Sequence, residues 1–260
     1  MKRYMKRLGI CLLALYIGVL FTRCEKDRLM INIDAQKPEG DGICGTVKDY
    51  DGNEYDVVKL GNQEWMAQNL RTTHYANGTS IPLGSSASTT TAYRYCPDNN
   101  STNVSKYGYL YNWKAVMGNS SSSSSNPSHV QGICPNGWHV PSDAEWTELR
   151  NYVQSSDFYI VTSGSVAKAL ASTEDWNPPY DSYNDVGVVG YHCDRNNSTG
   201  FSALPAGTYD GDRNSYGEFG DITRFWSATE INYYIFFVHY DLVGSGSQKS
   251  DGLSVRCVKD

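Results

Sequence analysis

The pattern of apolar and polar positions changes along the chain, and it predicts short strands at both ends of a folded region. The stretch ICGTVKDYDGNEYDVVKL (43–60) holds two β-prone runs around Asp51-Gly52, a pair that fits the positive φ angles of a tight turn. A hairpin is therefore predicted there. Three later stretches, RFWSATE (224–230), YYIFFVHYDL (233–242) and GLSVRCVKD (252–260), are rich in strand-forming residues. No fixed-period repeat is visible.

Helical spacing is found in the middle of the chain. Ser142 and Glu145 form an S-x-x-E capping box after Pro141, which predicts a helix over 143–154. Its apolar stripe would consist of Trp146, Leu149 and Val153. A second short helix is predicted over 164–172, and KYGYLYNWKAV (106–116) is predicted to be part strand and part short helix. The fold class is therefore α+β, with two main helices.

Long polar stretches separate these elements and predict irregular loops. Six consecutive serines occupy 120–125, and such a run cannot pack into a core. The stretches 172–185 and 193–221 are dominated by Gly, Asp, Asn and Tyr. The sequence DYDGN (49–53) resembles part of a calcium loop, but it lacks the later ligands and the final Glu, so the hairpin is favoured.

The N-terminal residues are typical of an export signal. Residues 1–23 carry five basic side chains and an apolar run of about fifteen residues (8–22), too short to span a bilayer comfortably. Cys24 follows, at the position of the acylated cysteine of bacterial lipoproteins, although Arg23 replaces the preferred small residue. We expect a lipid on Cys24, with ordinary secretion and nearby cleavage as the alternative. The predicted organisation is a signal (1–23), a tether (24–42) and a domain (43–260).

Net charge argues against one class of partner, and cysteine spacing argues against two kinds of site. Removal of the five basic residues takes the formal net charge from −6 to −11, which argues against nucleic-acid binding because phosphate recognition needs a basic face. Besides Cys11 and Cys24, five cysteines remain: Cys44, Cys96, Cys134, Cys193 and Cys257. Five is odd, so at least one is unpaired or forms an intermolecular bond. None are spaced as C-x-x-C, so neither a thioredoxin-type site nor a zinc ribbon is predicted.

Six blocks resemble, in order, the Fibrobacter succinogenes major paralogous domain family. They are GTVKDYDGNEYDVVKLGNQEWMAQNLRTT, YGYLYNWKAV, CPNGWHVPSDAEWTEL, TGFSALPAGTYDGD, FWSATE and GLSVRC, and together they span 43–260. The resemblance implies an exported or surface-anchored bacterial domain without an established enzymatic activity. The residues EKD after Cys24 resemble a surface-export signal of Bacteroides-like lipoproteins.

The resemblance also implies an architecture and a disulfide. The GWHVPSDAEW block resembles a block of the sulfatase-modifying-factor family, which implies a C-type-lectin-like fold with short antiparallel sheets and long loops. Relatives carry cysteines near positions 64 and 103, where this chain has Glu64 and Asn103, so Cys44 and Cys96 lack their usual partners. The disulfide expected from the family is Cys134 with Cys257. Only Cys257 lies where the formylglycine-generating relatives hold copper with two cysteines, so no cofactor is expected.

The 176–226 region offers the candidate binding residues. Sugar sites combine aromatic rings with Asn and Asp side chains, and lectin-like domains carry ligand contacts in the corresponding long loop. The candidates are Trp176, Asp194, Asn196, Tyr209, Asp210, Asp212 and Trp226. Core positions are the alternative for both tryptophans. The lectin calcium motifs are absent, so no metal is predicted, although Asp-rich loops suit a hard cation.

Catalytic patterns give little support for an enzyme. The five histidines form no H-E-x-x-H pair, and no G-x-S-x-G is present. We expect His139 to make structural hydrogen bonds, with a ligand or acid–base role as the alternative. The predicted function is a non-catalytic adhesion module for glycans or surface proteins, lipid-anchored at the outer membrane and facing outward. The alternatives are a structural or tip subunit of a surface fibre, and an unrecognised hydrolase.

Overall fold

The computed structural model describes residues 36–180, 185–236 and 240–260, and these form short strands and helices separated by long loops. The helices are α1 (Val104–Tyr107), α2 (Trp113–Met117), α3 (Asp143–Ser155), α4 (Asp157–Ser163) and α5 (Val166–Leu170). The strands are β1 (Gly42–Lys48), β2 (Glu54–Leu60), β3 (Gln63–Met66), β4 (Arg94–Tyr95), β5 (Leu110–Tyr111), β6 (Trp138–His139), β7 (Thr208–Asp210), β8 (Ser215–Gly217), β9 (Ile222–Trp226), β10 (Ile231–Phe236), β11 (Val243–Gly246) and β12 (Val258–Lys259). No helix in these ranges has the length and apolar character needed to cross a bilayer.

The main sheet has five strands in the order β1-β2-β3-β12-β6. Strands β1 and β2 form the predicted hairpin, because the backbone turns back over 49–53 and Gly52 has a φ of +80°. Strand β12 inserts between two strands that are distant in sequence, since Val258 pairs with both Trp65 and His139. The sheet therefore joins segments from opposite ends of the described chain.

Three smaller antiparallel sheets complete the strands, in the orders β11-β10-β9, β4-β5 and β7-β8. The prediction of an α+β fold with short antiparallel sheets is confirmed. The strand prediction for 233–242 is confirmed over 233–236, where it overlaps β10, and is wrong for 240–242, which form no strand. Residues 237–239 lie outside the described residues.

The prediction of two main helices is wrong in number. Helix α3 matches the first and α5 lies inside the second, but α4 begins directly after α3 and was not predicted. Its N-terminus is capped by the Ser156 side chain, which accepts from the Tyr159 N–H, and it ends at Gly164 in a left-handed conformation. These are local capping signals without a strong apolar stripe, so the spacing of apolar residues did not reveal the helix.

Helix α3 begins as its sequence predicts. The Ser142 hydroxyl accepts from the Glu145 N–H, and the Glu145 carboxylate accepts from the Ser142 N–H, which completes the capping box. The predicted stripe of Trp146, Leu149 and Val153 is fully buried. Trp146 packs against Trp65 of β3 with the ring centroids 4.6 Å apart, so this stripe attaches the helix to the main sheet.

One disulfide, between Cys134 and Cys257, is formed among the described cysteines. The family-based prediction of this bond is confirmed. It connects the loop before β6 to the residue that precedes β12, and both cysteines are fully buried. Cys44 is free and exposed, Cys96 is free and buried, and Cys193 is free and partly buried. The prediction of at least one cysteine without an intramolecular partner is therefore also confirmed.

A fully buried arginine lies beside this disulfide. The Arg256 guanidinium donates to Asn69 Oδ1 at 2.8 Å and to the carbonyls of Met66, Phe201 and Ser202 at 2.8, 2.6 and 2.9 Å. Burial lowers the pKa of Arg256 to about 9. All four acceptors are uncharged, so this side chain connects residues 66–69 to the 201–202 loop without an ion pair.

The folded region begins before the predicted boundary at residue 43. Asp41 accepts hydrogen bonds from the Tyr152 and Tyr159 hydroxyls at 2.8 and 2.6 Å and from the Gly61 N–H at 2.9 Å. The end of the predicted tether is therefore fixed against α3 and α4. Cys24, with most of the tether and the signal, lies outside the described residues.

His139 occupies a buried polar network, as its predicted structural role requires. Its Nε2 lies 2.6 Å from Glu145 Oε1, and its Nδ1 lies 2.7 Å from Asp260 Oδ1. Burial favours the neutral ring, but the hydrogen bonds and charges of Glu145 and Asp260 outweigh it and raise the pKa of His139. With a carboxylate at each ring nitrogen, the imidazole donates from both of them when it is protonated.

This network predicts a pH dependence of stability. A raised folded pKa means that the stabilisation is complete below the unfolded value of about 6.5 and is lost as the pH rises through the folded pKa. We expect the free energy of unfolding of the wild type to fall from pH 6 to pH 9, and that of His139→Gln to fall much less. Urea denaturation at both pH values measures this, with His192→Gln, whose side chain is 48% exposed, as the matched control. An equal fall in wild type and His139→Gln would contradict the prediction.

Candidate functional site

Both predicted aromatic anchors lie in the core. Trp226 is fully buried, its Nε1 donates to the Tyr111 carbonyl at 2.7 Å, and its ring packs edge-on against Trp113. Trp176 is 6% exposed, and its Nε1 donates to the Ser172 hydroxyl at 3.1 Å. Neither ring offers a face to a ligand. The ligand prediction for both tryptophans is therefore wrong, and the core alternative describes them.

Tyr209 and Asn196 are also unavailable to a ligand. Tyr209 is 3% exposed, stacks on Tyr95 with the ring centroids 4.0 Å apart, and donates its hydroxyl to Asn214. Asn196 is 6% exposed and donates to the Ser172 carbonyl at 2.7 Å. Their prediction as ligand contacts is wrong for the same reason, because both side chains are buried.

The three predicted acidic residues lie at the surface. The Asp194 side chain is 78% exposed and lies 3.8 Å from His192 Nδ1. Asp210 accepts from the N–H groups of Asp212 and Arg213 and forms an ion pair with the Arg213 guanidinium. Asp212 accepts from Gln248. These residues stay candidates, but without the aromatic rings they lack half of the predicted sugar-binding chemistry.

An open groove of about 460 Å³ lies elsewhere on the molecule. Three separate segments and Ala92 line it, and every lining side chain is neutral except Lys114. The lining residues are Tyr75, Ala76, Asn77, Thr79, Ser80, Ala92, Lys114, Met117, Gly118, Asn119, Ser120, Gln131 and Gly132. More than half of these side chains carry an amide or a hydroxyl group. The groove can therefore exchange hydrogen bonds with a polyhydroxylated ligand.

The first wall is a tight turn over 74–80. The Tyr75 N–H donates to the Thr79 carbonyl, and the Gly78 N–H donates to the Tyr75 carbonyl, both at 2.9 Å. The Tyr75 hydroxyl is directed towards the second wall, where it donates to the Lys114 carbonyl at 3.4 Å. Burial raises the pKa of Tyr75 to about 12, so this phenol stays neutral at physiological pH.

The turn is attached to the β1–β2 hairpin through Asp51. Its carboxylate lies 2.6 Å from His74 Nδ1 and accepts from the hydroxyl of Thr72 and the N–H of Thr73. Burial acts to raise the pKa of Asp51, but these donors outweigh it and the pKa is lowered. The first wall is therefore held by the carboxylate of Asp51. This residue belongs to the stretch 49–53, which resembles part of a calcium loop in sequence.

The second wall is helix α2 with the residues that follow it. Asn112 caps the N-terminus of the helix by accepting from the Ala115 N–H at 3.0 Å. The cap fixes the position of Lys114 in the first turn of the helix. Lys114 Nζ then reaches past the end of the helix and donates to the Gly118 carbonyl at 2.6 Å and to Asn119 Oδ1 at 2.9 Å. Its ammonium group is thus held beside the serine run that begins at Ser120.

The third wall is the short segment 131–132. Gly132 has a φ of +52°, and a Cβ there would lie 2.2 Å from the Val116 carbonyl oxygen, so only glycine allows this close approach to α2. Gln131 is held by its side-chain amide, which donates to Asn136 Oδ1 at 2.8 Å. The close backbone contact holds this wall of the groove against α2.

None of the groove residues is among the binding candidates that the sequence pattern predicts. The strongest available signal is Asn77-Gly78 in HYANGTS (74–80), a pair typical of tight turns. It predicts a turn but not a groove, because the other two walls come from segments about 40 and 55 residues further along the chain. In the parts of the chain that the structure describes, no group of three or more His, Cys, Asp or Glu side chains is arranged to hold a metal ion.

Comparison with known proteins identifies the family. The Fibrobacter succinogenes major domain matches residues 58–259, which include β3, β6, β12 and the end of β2 from the main sheet, the disulfide and all three walls of the groove. A search of the curated proteins and a search of the solved structures each found no match. The matched region covers well over half of the chain, so the chain belongs to the Fibrobacter succinogenes major domain family.

Proposed function

We propose that this protein is an exported, lipid-anchored module that binds glycans without cleaving them, and that the groove is its binding site. The observation that carries the proposal is the lining of the groove, where amides and hydroxyls surround Tyr75 and the only charge is that of Lys114. Amide and hydroxyl groups recognise sugar hydroxyls, and the ring of Tyr75 supplies apolar surface for a sugar face. Binding at this site replaces the predicted binding through the 176–226 loops.

The same lining favours binding over hydrolysis. Most glycoside hydrolases use two carboxyl groups on either side of the scissile bond. The thirteen lining residues supply an ammonium, a phenol, amides and hydroxyls in that place. Such groups can hold a sugar, but none of them is a carboxyl group.

The proposed location and architecture are consistent with this role. The apolar run at 8–22 and Cys24 support export and lipid attachment, and a polar tether would separate the domain from the membrane surface. Small antiparallel sheets, a main helix capped by Ser142 and long loops support a C-type-lectin-like architecture. A fold of this kind presents binding residues on loops that a rigid scaffold positions.

A glycan array tests the proposal when the groove can be blocked separately. Ser120 lines the groove and is exposed, whereas Ser122 is exposed in the same serine run and is not among the lining residues. We expect wild type and Ser122→Trp to bind the same glycans, and Ser120→Trp to lose about tenfold or more in affinity because the indole occupies the groove. A silent array with folded wild type, or equal binding by both variants, would contradict the proposal.

A further inference from the structure

Lys114 is the one cationic residue among those that line the groove. Its Nζ has two neutral acceptors, the Gly118 carbonyl and Asn119 Oδ1, and an ammonium group carries three N–H donors. One donor direction therefore remains for a ligand. The side chain is only partly buried, so a ligand in the groove can reach it.

The charge of Lys114 is not balanced by a carboxylate within the described structure. The ion pairs found there use other cations, among them Lys106 with Glu174 and Asp175, but none of them includes Lys114. In a chain with a formal net charge of −6, a cation without an acidic partner in a groove free of acidic side chains is a distinct electrostatic feature. An anionic group of a ligand would supply the missing partner.

We propose that the groove prefers glycans that carry a carboxylate on the sugar ring, and that Lys114 binds this carboxylate. The inference rests on the proposed function and specifies its ligand class. A single ammonium among amides and hydroxyls fits a chain of mostly neutral hydroxyls with isolated negative charges. A dense polyanion fits less well, because the acidic surface of the protein repels it and one cation cannot compensate for many charges.

Calorimetric titration with matched oligosaccharides tests the preference. The probes are a uronic acid oligomer, the same oligomer with its carboxyl groups reduced to alcohols, and an oligomer of similar length in which neutral sugars carry sulfate esters. We expect wild type to bind the uronate roughly tenfold more tightly than the reduced oligomer, with a preference that declines as salt is raised. Tighter binding of the sulfated oligomer than of the uronate would overturn the carboxylate assignment.

Substitutions of Lys114 measure its contribution to binding separately from that of the other groove residues. Lys114→Gln should bind the reduced oligomer about as well as wild type and lose the preference for the uronate, and Lys114→Arg should retain much of it. Lys106→Gln removes the same charge from an exposed residue outside the groove and should keep the full preference. A preference that survives in Lys114→Gln would overturn the inference.

Failure of the inference and failure of the proposed function give different results. If wild type binds the uronate and the reduced oligomer equally, and Ser120→Trp abolishes both, the inference is wrong and the groove remains a glycan site. If folded wild type binds none of the three probes and no glycan on the array, both proposals are wrong.

Discussion

Replacing Arg256 by methionine is expected to lower the free energy of unfolding by at least about 4 kcal/mol, a large part of the roughly 5–15 kcal/mol by which domains are ordinarily stable. The guanidinium is fully buried and donates to the Asn69 side chain and to three backbone carbonyls. Methionine has a similar length but no donor, so these acceptors would remain buried without a partner. Each such loss costs about 1–3 kcal/mol.

The contacts of Arg256 explain why an apolar substitute does not recover this loss. Buried ion pairs can often be replaced by apolar residues, because both charges are removed together. Here three of the acceptors belong to the backbone and persist in any variant. The guanidinium also lies 4.6 Å from the centroid of Phe201 and 5.6 Å from that of Phe225, and these cation–π contacts would be lost.

Urea denaturation followed by tryptophan fluorescence measures the effect. Arg213→Met is the matched control, since the Arg213 side chain is 81% exposed and its ion pair with Asp210 contributes little. We also expect Arg256→Lys to be strongly destabilised, because one ammonium cannot reach four acceptors in the geometry of the guanidinium fork. A stability of Arg256→Met within about 1 kcal/mol of wild type would show that these hydrogen bonds do not hold the fold together.

Removing the Cys134–Cys257 disulfide is expected to cost about 2–5 kcal/mol. The bond closes a loop with a sequence separation of 123 residues, and a cross-link over so long a loop strongly restricts the unfolded chain. Cys134→Ser should therefore lower the melting temperature of the oxidised protein. A hydroxyl left in the fully buried site adds a smaller penalty of its own.

Thermal denaturation with and without reductant checks this prediction. The reductant should lower the melting temperature of wild type towards that of Cys134→Ser and should leave the variant unchanged. Cys44→Ser provides the control, because Cys44 is free and exposed and its replacement should have little effect. Equal melting temperatures for wild type and Cys134→Ser under oxidising conditions would contradict the role given to the bond.

Features encoded by neighbouring residues could be predicted from the sequence. The hairpin follows from Asp51-Gly52, and the start of α3 follows from Ser142 and Glu145, because each signal acts within a few residues. The disulfide was predicted from the family resemblance, since sequence spacing alone leaves the pairing of cysteines open.

Burial of the loops could not be predicted in the same way. Trp226 is buried by Tyr111 and Trp113, which lie more than 100 residues earlier in the chain. Tyr209 is covered by Tyr95, which is equally distant. A loop rich in aromatic and polar residues has the same composition whether its rings face a ligand or the core. Composition therefore indicated a binding surface where Trp176, Tyr209 and Trp226 belong to the hydrophobic core clusters.

Hydrogen–deuterium exchange with and without a glycan selected on the array tests most directly whether the groove is the binding site. The groove account predicts slower exchange in peptides covering 74–80, 113–120 and 130–133, which form its three walls, and unchanged exchange in 194–217. Slower exchange confined to 194–217, where the exposed Asp194, Asp210 and Asp212 lie, would contradict it and return the site to the loops first predicted.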